Sequence, residues 1–384
     1  MVRKSLIAVF CFLLLKFQAQ DTTYSRQVIQ KMCSKDFFGR GYVNDGVGKA
    51  SKYLQGEFKS IGLTAFTKKD FAQPFTFPVN TFPKRMYVKL DGKELKPGVH
   101  YIVSPESKGV STAYQLFRKD SITFGASDGR REVPFKVSLK KKLTFSVAQQ
   151  AADHTEIELL RDSFPGELKD MEVMIDNVEI PAYKNQNIAG YVKGTQHPDS
   201  FIVFTAHYDH LGGMGANTYF PGANDNASGV SLVLNLARYY KKHPARYSVA
   251  FILFAGEEAG LLGSRYYTEH PLFPLNKIKF LTNLDLLGTG NDGIMVVNAT
   301  VFKPQFEKLK AINDEQKLVT QIKQRGKAAN SDHYWFAEKG VPCFFIYTMG
   351  GIQAYHDVYD VAGTLPLTDY VDVFKLLVAF GNTL

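Results

Sequence analysis

Cysteine is scarce in this chain: 384 residues hold three, Cys11, Cys33 and Cys343. That is too few for a disulfide framework. No C-x-x-C pair occurs, so a zinc site here would have to use His and carboxylates. Cys343 lies in the apolar run VPCFFIY and reads as a small core residue, while a bridge between Cys33 and Cys343 stays open. Basic runs are short. The densest, Lys140-Lys141-Lys142, has no interleaved aromatics and reads as a solvated face, which argues against nucleic-acid binding. H-E-x-x-H and G-x-x-x-x-G-K-[ST] are both absent, which removes the commonest zincin and P-loop readings. No internal repeat, low-complexity tract or membrane-spanning run appears beyond the N-terminal segment.

What is present is ordinary globular composition, 45% hydrophobic and 22% charged, with a formal net charge of +9. The N-terminus reads as an export signal covering 1–20. Arg3 and Lys4 open it, Ser5 to Leu15 is apolar but short for a bilayer span, and Ala19 offers a small residue for cleavage. A retained anchor is the alternative. Removal of Arg3, Lys4 and Lys16 lowers the charge to about +6. The expected location is periplasmic or extracellular, with no stable membrane insertion once the signal is gone.

Helical spacing covers Ser25 to Met32 and Lys49 to Ile61, with Gly62 as a stop. From about Phe71, Pro74, Pro78 and Pro83 break helices, and short strands follow to about Tyr183. This β-rich stretch, 71–183, reads as an insertion whose sequence offers no chemistry. It splits a catalytic domain formed by 21–70 and 184–384. From Asn187 strands alternate with helices: NIAGYV, FIVFTA, SVAFILFA, FLTNLDLL, GIMVVNA and VPCFFIYT read as strands. Helices are expected at Asn226 to Lys242, Glu257 to His270, Val301 to Asp314, Ser331 to Lys339 and Asp369 to Phe380. The pattern predicts an α/β fold: a mostly parallel central sheet flanked by helices, carrying an inserted β-rich subdomain.

Five sequence positions hold metal-ligand residues at the ends of apolar runs: His207, Asp225, the pair Glu257-Glu258, Asp285 and His356. Open α/β sheets place their sites at such strand ends. Taken singly, each residue has a plainer reading: a satisfied core histidine, a helix cap, a surface pair at a helix start. Together, two histidines and several carboxylates suit zinc, and a shared carboxylate suits two metals. Adjacent carboxylates cannot usefully chelate one ion side by side. At a strand-to-helix turn permitted by Gly256 they diverge, so one can bind metal and the other can move protons. Asp209 is two residues from His207, on the same face if the chain stays extended there.

These motifs, in this order, resemble the secreted di-zinc aminopeptidases, the bacterial leucyl-type enzymes of phosphorylase-like α/β fold. The likeness covers about Asn187 to Leu384, and GRGYVNDG near the N-terminus is similar as well. The resemblance implies two Zn²⁺ bridged by Asp225. It gives His207 and Asp285 to one metal, Glu258 and His356 to the other. It implies Glu257 as general base acting on a metal-bridged hydroxide, Asp209 orienting His207, Tyr355 donating to the oxyanion, and a cis bond after Asp225. The expected substrates are peptides cut at the N-terminal residue.

His210, His333 and Asp360 sit beside these motifs as candidate supports or pocket residues. Asn226-Ala227-Ser228 fits a glycosylation pattern but overlaps the metal motif and reads as chance. Rival functions are a glutaminyl cyclase, which NLDLLG and Asp332-His333 also resemble, a carboxypeptidase of the same superfamily, and a non-catalytic receptor, which would be expected to lack ligands.

Overall fold

The run Tyr247–Phe254 explains the middle of the structure. Along a strand, alternate residues turn to opposite faces. Val249, Phe251 and Leu253 enter a large core on one face of the sheet, while Ala250, Ile252 and Phe254 enter a smaller core on the other. A strand covered on both faces therefore reads as a continuous apolar run. The computed structural model describes residues 22–384. The expected signal segment and Cys11 lie outside the described residues.

The central sheet has nine strands: β1 (Thr64–Ala65), β2 (Ala72–Thr81), β3 (Val178–Val192), β4 (His197–His207), β5 (Tyr247–Phe254), β6 (Ile278–Leu284), β7 (Ile294–Val297), β8 (Ile322–Gln324) and β9 (Cys343–Thr348). Their order is β1-β3-β5-β4-β6-β9-β7-β8, with β2 also paired to β3. The middle four, β5-β4-β6-β9, are parallel. Most flank pairs are antiparallel: β1, β2 and β5 each run against β3, and β7 against β9, while the edge strand β8 is parallel to β7. The sheet is thus a parallel centre in a mixed surround.

The helices are α1 (Thr22–Met32), α2 (Gly46–Ile61), α3 (Gly229–Lys242), α4 (Leu262–Glu269), α5 (Lys303–Gln316), α6 (His333–Glu338) and α7 (Tyr370–Gly381). Residues of α1, α2, α3, α5 and α7 fill the large core, and Tyr267 of α4 and Phe336 of α6 the smaller one. Two helices start three or more residues later than sequence spacing predicts. Helix α3 begins at Gly229 because Asp225 and Asn226 are non-helical. Helix α4 begins at Leu262 because the Glu257 carbonyl closes a turn with the N–H groups of Gly260 and Leu261.

The insertion is narrower than 71–183. Strand β2 and residues 178–183 of β3 pair inside the central sheet, across a bulge that accommodates Pro78. The separate eight-stranded sheet spans Met86 to Ile175. Its core gathers Val88, Phe124, Val137, Ile157 and Val173, and Leu211, Met214 and Phe220 from the catalytic part join it. Cys33 and Cys343 are both free and buried, so no bridge forms. Burial pushes both thiols up to about 12.

Candidate active site

Strand β4 is the switch point of the sheet. The chain leaves it for β5 on one side and returns to β6 on the other, the arrangement that opens a crevice at the carboxyl ends of the strands. His207 ends β4. Glu257 and Glu258 follow β5, Asp285 follows β6, and His356 lies in the loop after β9. Asp225 comes from the turn that enters α3, and its bond to Asn226 is cis.

These side chains converge. His207 Nε2 stands 3.3 Å from Asp225 Oδ1 and 3.3 Å from Asp285 Oδ1. His356 Nε2 stands 3.2 Å from Asp225 Oδ2 and 3.3 Å from Glu258 Oε2. Each oxygen of Asp225 therefore faces a different histidine. Ligand atoms roughly 2.0–2.1 Å from a tetrahedral zinc stand roughly 3.3–3.4 Å apart, which matches all four distances. His207, Asp225 and Glu258 bring ligand atoms within 4.8 Å of one another, as do His207, Glu257 and Asp285. The donor set of imidazoles and carboxylates fits zinc, with Asp225 standing between the two histidines.

Both histidines are presented for binding. His207 Nδ1 meets the Asp209 carbonyl at 3.2 Å, and His356 Nδ1 meets the Phe145 carbonyl at 3.1 Å. A carbonyl only accepts, so Nδ1 carries the proton and Nε2 offers its lone pair. The Asp209 carboxylate is farther from His207, at 3.8 Å. It accepts instead from the Glu257 N–H at 3.2 Å and the Tyr42 hydroxyl at 3.4 Å. The expectation that this carboxylate orients His207 is corrected here. Strand β4 stops at His207, the chain turns, and the backbone of Asp209 makes the contact.

Electrostatically the site is short of positive charge. Burial opposes charging His207, yet Asp285 and Glu257 outweigh it and hold the imidazole well above its ordinary value. The same contest, with Glu258 as main carboxylate partner, pushes His356 up to about 11. Burial and the neighbouring Asp225 raise the Glu258 carboxyl, but His356 and His210 prevail and bring it down to about 2. Glu257 goes the other way. Burial, with Glu258, Asp332 and Asp285 nearby, holds it well above the ordinary carboxylate range despite His207. The two adjacent glutamates are thus driven apart, one toward permanent charge and one toward proton exchange.

Several supports hold these ligands: His210 and Asp360 were candidates in the sequence, while the others were not legible there. His210 donates to Glu258 Oε1 at 2.7 Å, leaving Oε2 for the metal side. Asp360 accepts the N–H groups of Asn224 and Asp225 at 2.8 and 3.0 Å. Arg40, fully buried, donates to the carbonyls of Gly222 and Asp225 at 2.8 and 3.1 Å, and to three others. The backbone of Asp225 is so held at both ends. Thr205, Asn283 and Ser331 form a buried hydrogen-bonded chain that ends on Asp285 Oδ2 at 3.0 Å. Asn226 is fully buried, with its side chain bonded to the Leu284 carbonyl and the Gly229 N–H, so its glycosylation pattern is chance.

Beside the ligands, a cavity of about 210 Å³ is walled by Leu286, Asn330, Phe345, Tyr347 and Tyr355. Tyr355 is 44% exposed and stacks on His356 at 4.0 Å. Its partial burial and the charges of Asp225 and Glu258 keep the phenol protonated. His333 does not line this cavity; it is buried against Phe345.

The profile of Peptidase family M28 matches residues 187–380, about half of the chain. The chain belongs to peptidase family M28. It is 33% identical over 172 residues to aminopeptidase YwaD of Bacillus subtilis, covering 43% of this chain and 36% of that protein. The chain spans about a third of the length of the curated relatives it first matches. The fold also resembles BSAP, a zinc aminopeptidase from Bacillus subtilis, with a TM-score of 0.68 at 16% identity over 95% of each chain. A glutaminyl cyclase from Bacteroides thetaiotaomicron is similar too, at TM-score 0.56 and 14% identity over 95% of this chain and 99% of that one. An M28 fold alone therefore does not choose between hydrolysis and cyclisation.

Proposed function

We propose that this M28 chain is a two-zinc aminopeptidase that hydrolyses the first peptide bond of its substrates. The observation that carries the reading is Asp225, whose two oxygens face His207 and His356 at 3.3 and 3.2 Å, with Glu257 beside His207 and Asp285 and holding a raised affinity for protons. Zinc at these ligands would supply an acidified water and polarise the scissile carbonyl. Glu257 takes the proton from the attacking water and hands it to the leaving amine. Tyr355, at the cavity wall, donates to the oxygen on which charge develops. The acidic groups Glu257 and Asp285 anchor the free α-amine, which sets the first carbonyl over the nucleophile. The cavity, about 210 Å³, falls below the roughly 300–1,000 Å³ common for extended ligands and suits one terminal residue.

The setting we propose is outside the cytoplasm, on the strength of Arg3-Lys4 and the apolar run Ser5 to Leu15. Among the described residues, no helix is long and apolar enough to cross a membrane.

The test is zinc analysis of the purified mature protein beside a substrate panel. Two zinc ions, cleavage of leucyl or alanyl amides, and little cleavage of their N-acetyl forms are expected. Release of C-terminal residues from N-blocked peptides would move the assignment to a carboxypeptidase. Cyclisation of N-terminal glutamine without hydrolysis would move it to a glutaminyl cyclase.

A further inference from the structure

One connector links the eight-stranded sheet directly to the loops of two metal ligands. The sheet's strand Glu132–Lys140 ends at the three-lysine run, and the chain then crosses toward the catalytic part. Leu143 and Phe145 are buried in the core of the eight-stranded sheet, so the connector is anchored there. From that anchor it makes three sets of contacts.

Lys142 Nζ donates to the Gln353 carbonyl at 2.7 Å and pairs with Asp357 Oδ2 at 3.1 Å. Asp357 in turn accepts the Tyr355 N–H on Oδ2 and the Tyr359 N–H on Oδ1, at 3.3 and 2.9 Å. Phe145 and His356 exchange two bonds: the Phe145 N–H donates to the His356 carbonyl at 2.9 Å, and His356 Nδ1 donates to the Phe145 carbonyl. The Phe145 ring stacks on Phe220, 4.7 Å away and nearly parallel. Farther along, Gln149 Nε2 donates to the carbonyl of Ala259, the residue after Glu258, at 2.9 Å.

These contacts fall on one half of the centre. His356 Nε2 faces both Asp225 Oδ2 and Glu258 Oε2, and the loops of His356 and Glu258 both touch the connector. His356 has a positive φ of 54°, a region that L-residues rarely occupy, so its loop needs outside support. The other half differs. The His207 ring is held by the carbonyl two residues on, and Asp285 by Ser331, all within the catalytic part.

We propose that Lys142–Gln149 is a positioning strap for one of the two metals, the one held by His356 and Glu258, with Lys142 and Gln149 as its positioning residues. The eight-stranded sheet then acts on the reaction through metal retention, and Lys142 is a working contact in place of the solvated cation its sequence context suggests. The proposal rests on the two-zinc reading above.

The experiment is titration of the full-length mature protein with zinc against a chromophoric chelator, with melting of the zinc-free form alongside. Partners of metal ligands typically account for 10–100-fold in affinity. Lys142 is one contact farther out and 45% exposed at its side chain. Lys142→Met should therefore weaken one of the two zinc ions by about 3–10-fold and leave the tighter one unchanged. Lys142→Arg should restore it, and Gln149→Ala should weaken the same ion. Lys136→Met, on the eight-stranded sheet but away from the strap, should bind as wild type. The zinc-free proteins should melt alike, which a merely structural role of the strap would not predict. Equal weakening of both ions, or unchanged binding in both strap variants, overturns the strap while the two-zinc reading stands. Fewer than two zinc ions on the wild-type chain overturns both.

Discussion

The two halves of the centre use the same ligand chemistry and different scaffolding. His207 and Asp285 are braced from within the central sheet: the Asp209 carbonyl on one, and the chain Thr205–Asn283–Ser331 on the other. His356 takes its ring contact from Phe145, 211 residues away in sequence, on the connector of the eight-stranded sheet. Each histidine still ends with a carbonyl on Nδ1 and carboxylates around Nε2. The chemistry constrains what a ligand must meet, and the chain is free to supply it locally or from afar.

The sharpest way to probe this comparison is Glu257, the proposed base. Glu257→Gln keeps the side-chain shape and removes its proton-accepting capacity. Turnover should fall by about 10²–10⁴-fold or more, with zinc content unchanged. Near-normal kcat in a fully loaded variant would mean Glu257 is not the base.

Next is removal of the metals themselves. Zinc at a thousandfold excess over its Kd stabilises the native state by about 4 kcal/mol, so chelation should lower the melting temperature by the corresponding amount. Hydrogen exchange should then rise in the loops of Asp225, Asp285 and His356 and stay constant in the core of the eight-stranded sheet around Val137 and Val173. Equal deprotection of both regions would break the division drawn here.

The locally braced half is tested by Ser331→Ala. It strips Asp285 Oδ2 of a donor and leaves the buried Asn283 amide short of a partner. Zinc in the His207/Asp285 half should weaken by about 10-fold, and stability should drop by about 1–3 kcal/mol. Asp209→Asn belongs beside it. Because its carboxylate grips the Glu257 N–H, the expected loss of about 10-fold should appear in kcat more than in zinc affinity.

How much of this was readable beforehand follows from range. Continuous apolar runs such as SVAFILFA, and stops such as Gly62, are local, and they marked strands and helices to within a few residues. His207, Glu257-Glu258 and Asp285 were legible because each ends or follows such a run, whereas Asp225 and His356 lie in loops and were legible through their motifs. What the sequence hid was distance. Nothing near His356 announces Phe145, nothing near Asp225 announces Arg40, and Asp360, a candidate support from its place near His356, braces the Asp225 turn instead. Assuming an extended chain past His207 misdirected the Asp209 side chain, since strand pairing ends there. The stretch 71–183 was too wide because β2 alternates like an insertion strand while pairing into the central sheet.

The smallest effect lies farthest from the metals. Burial opposes it, but Ser138 and Lys136 hold the Glu156 carboxyl below its ordinary 4.5. A lowered folded value means the stabilisation is present above the unfolded value and is lost as pH falls through the folded one. Glu156→Gln should cost no more than about 1 kcal/mol at neutral pH. The difference should vanish in acid, with kcat unchanged. A change in kcat would make the eight-stranded sheet part of the chemistry by a route other than the strap.

The central claim is that Asp225 is shared by two zinc ions. Diffraction from crystals of the mature protein, recorded on both sides of the zinc absorption edge, tests it most directly. The account predicts two anomalous peaks about 3.5–4 Å apart, one beside His207 and Asp285, the other beside His356 and Glu258, with one Asp225 oxygen on each. A single peak at full occupancy in excess zinc, with His356 or His207 turned away from it, would contradict the account.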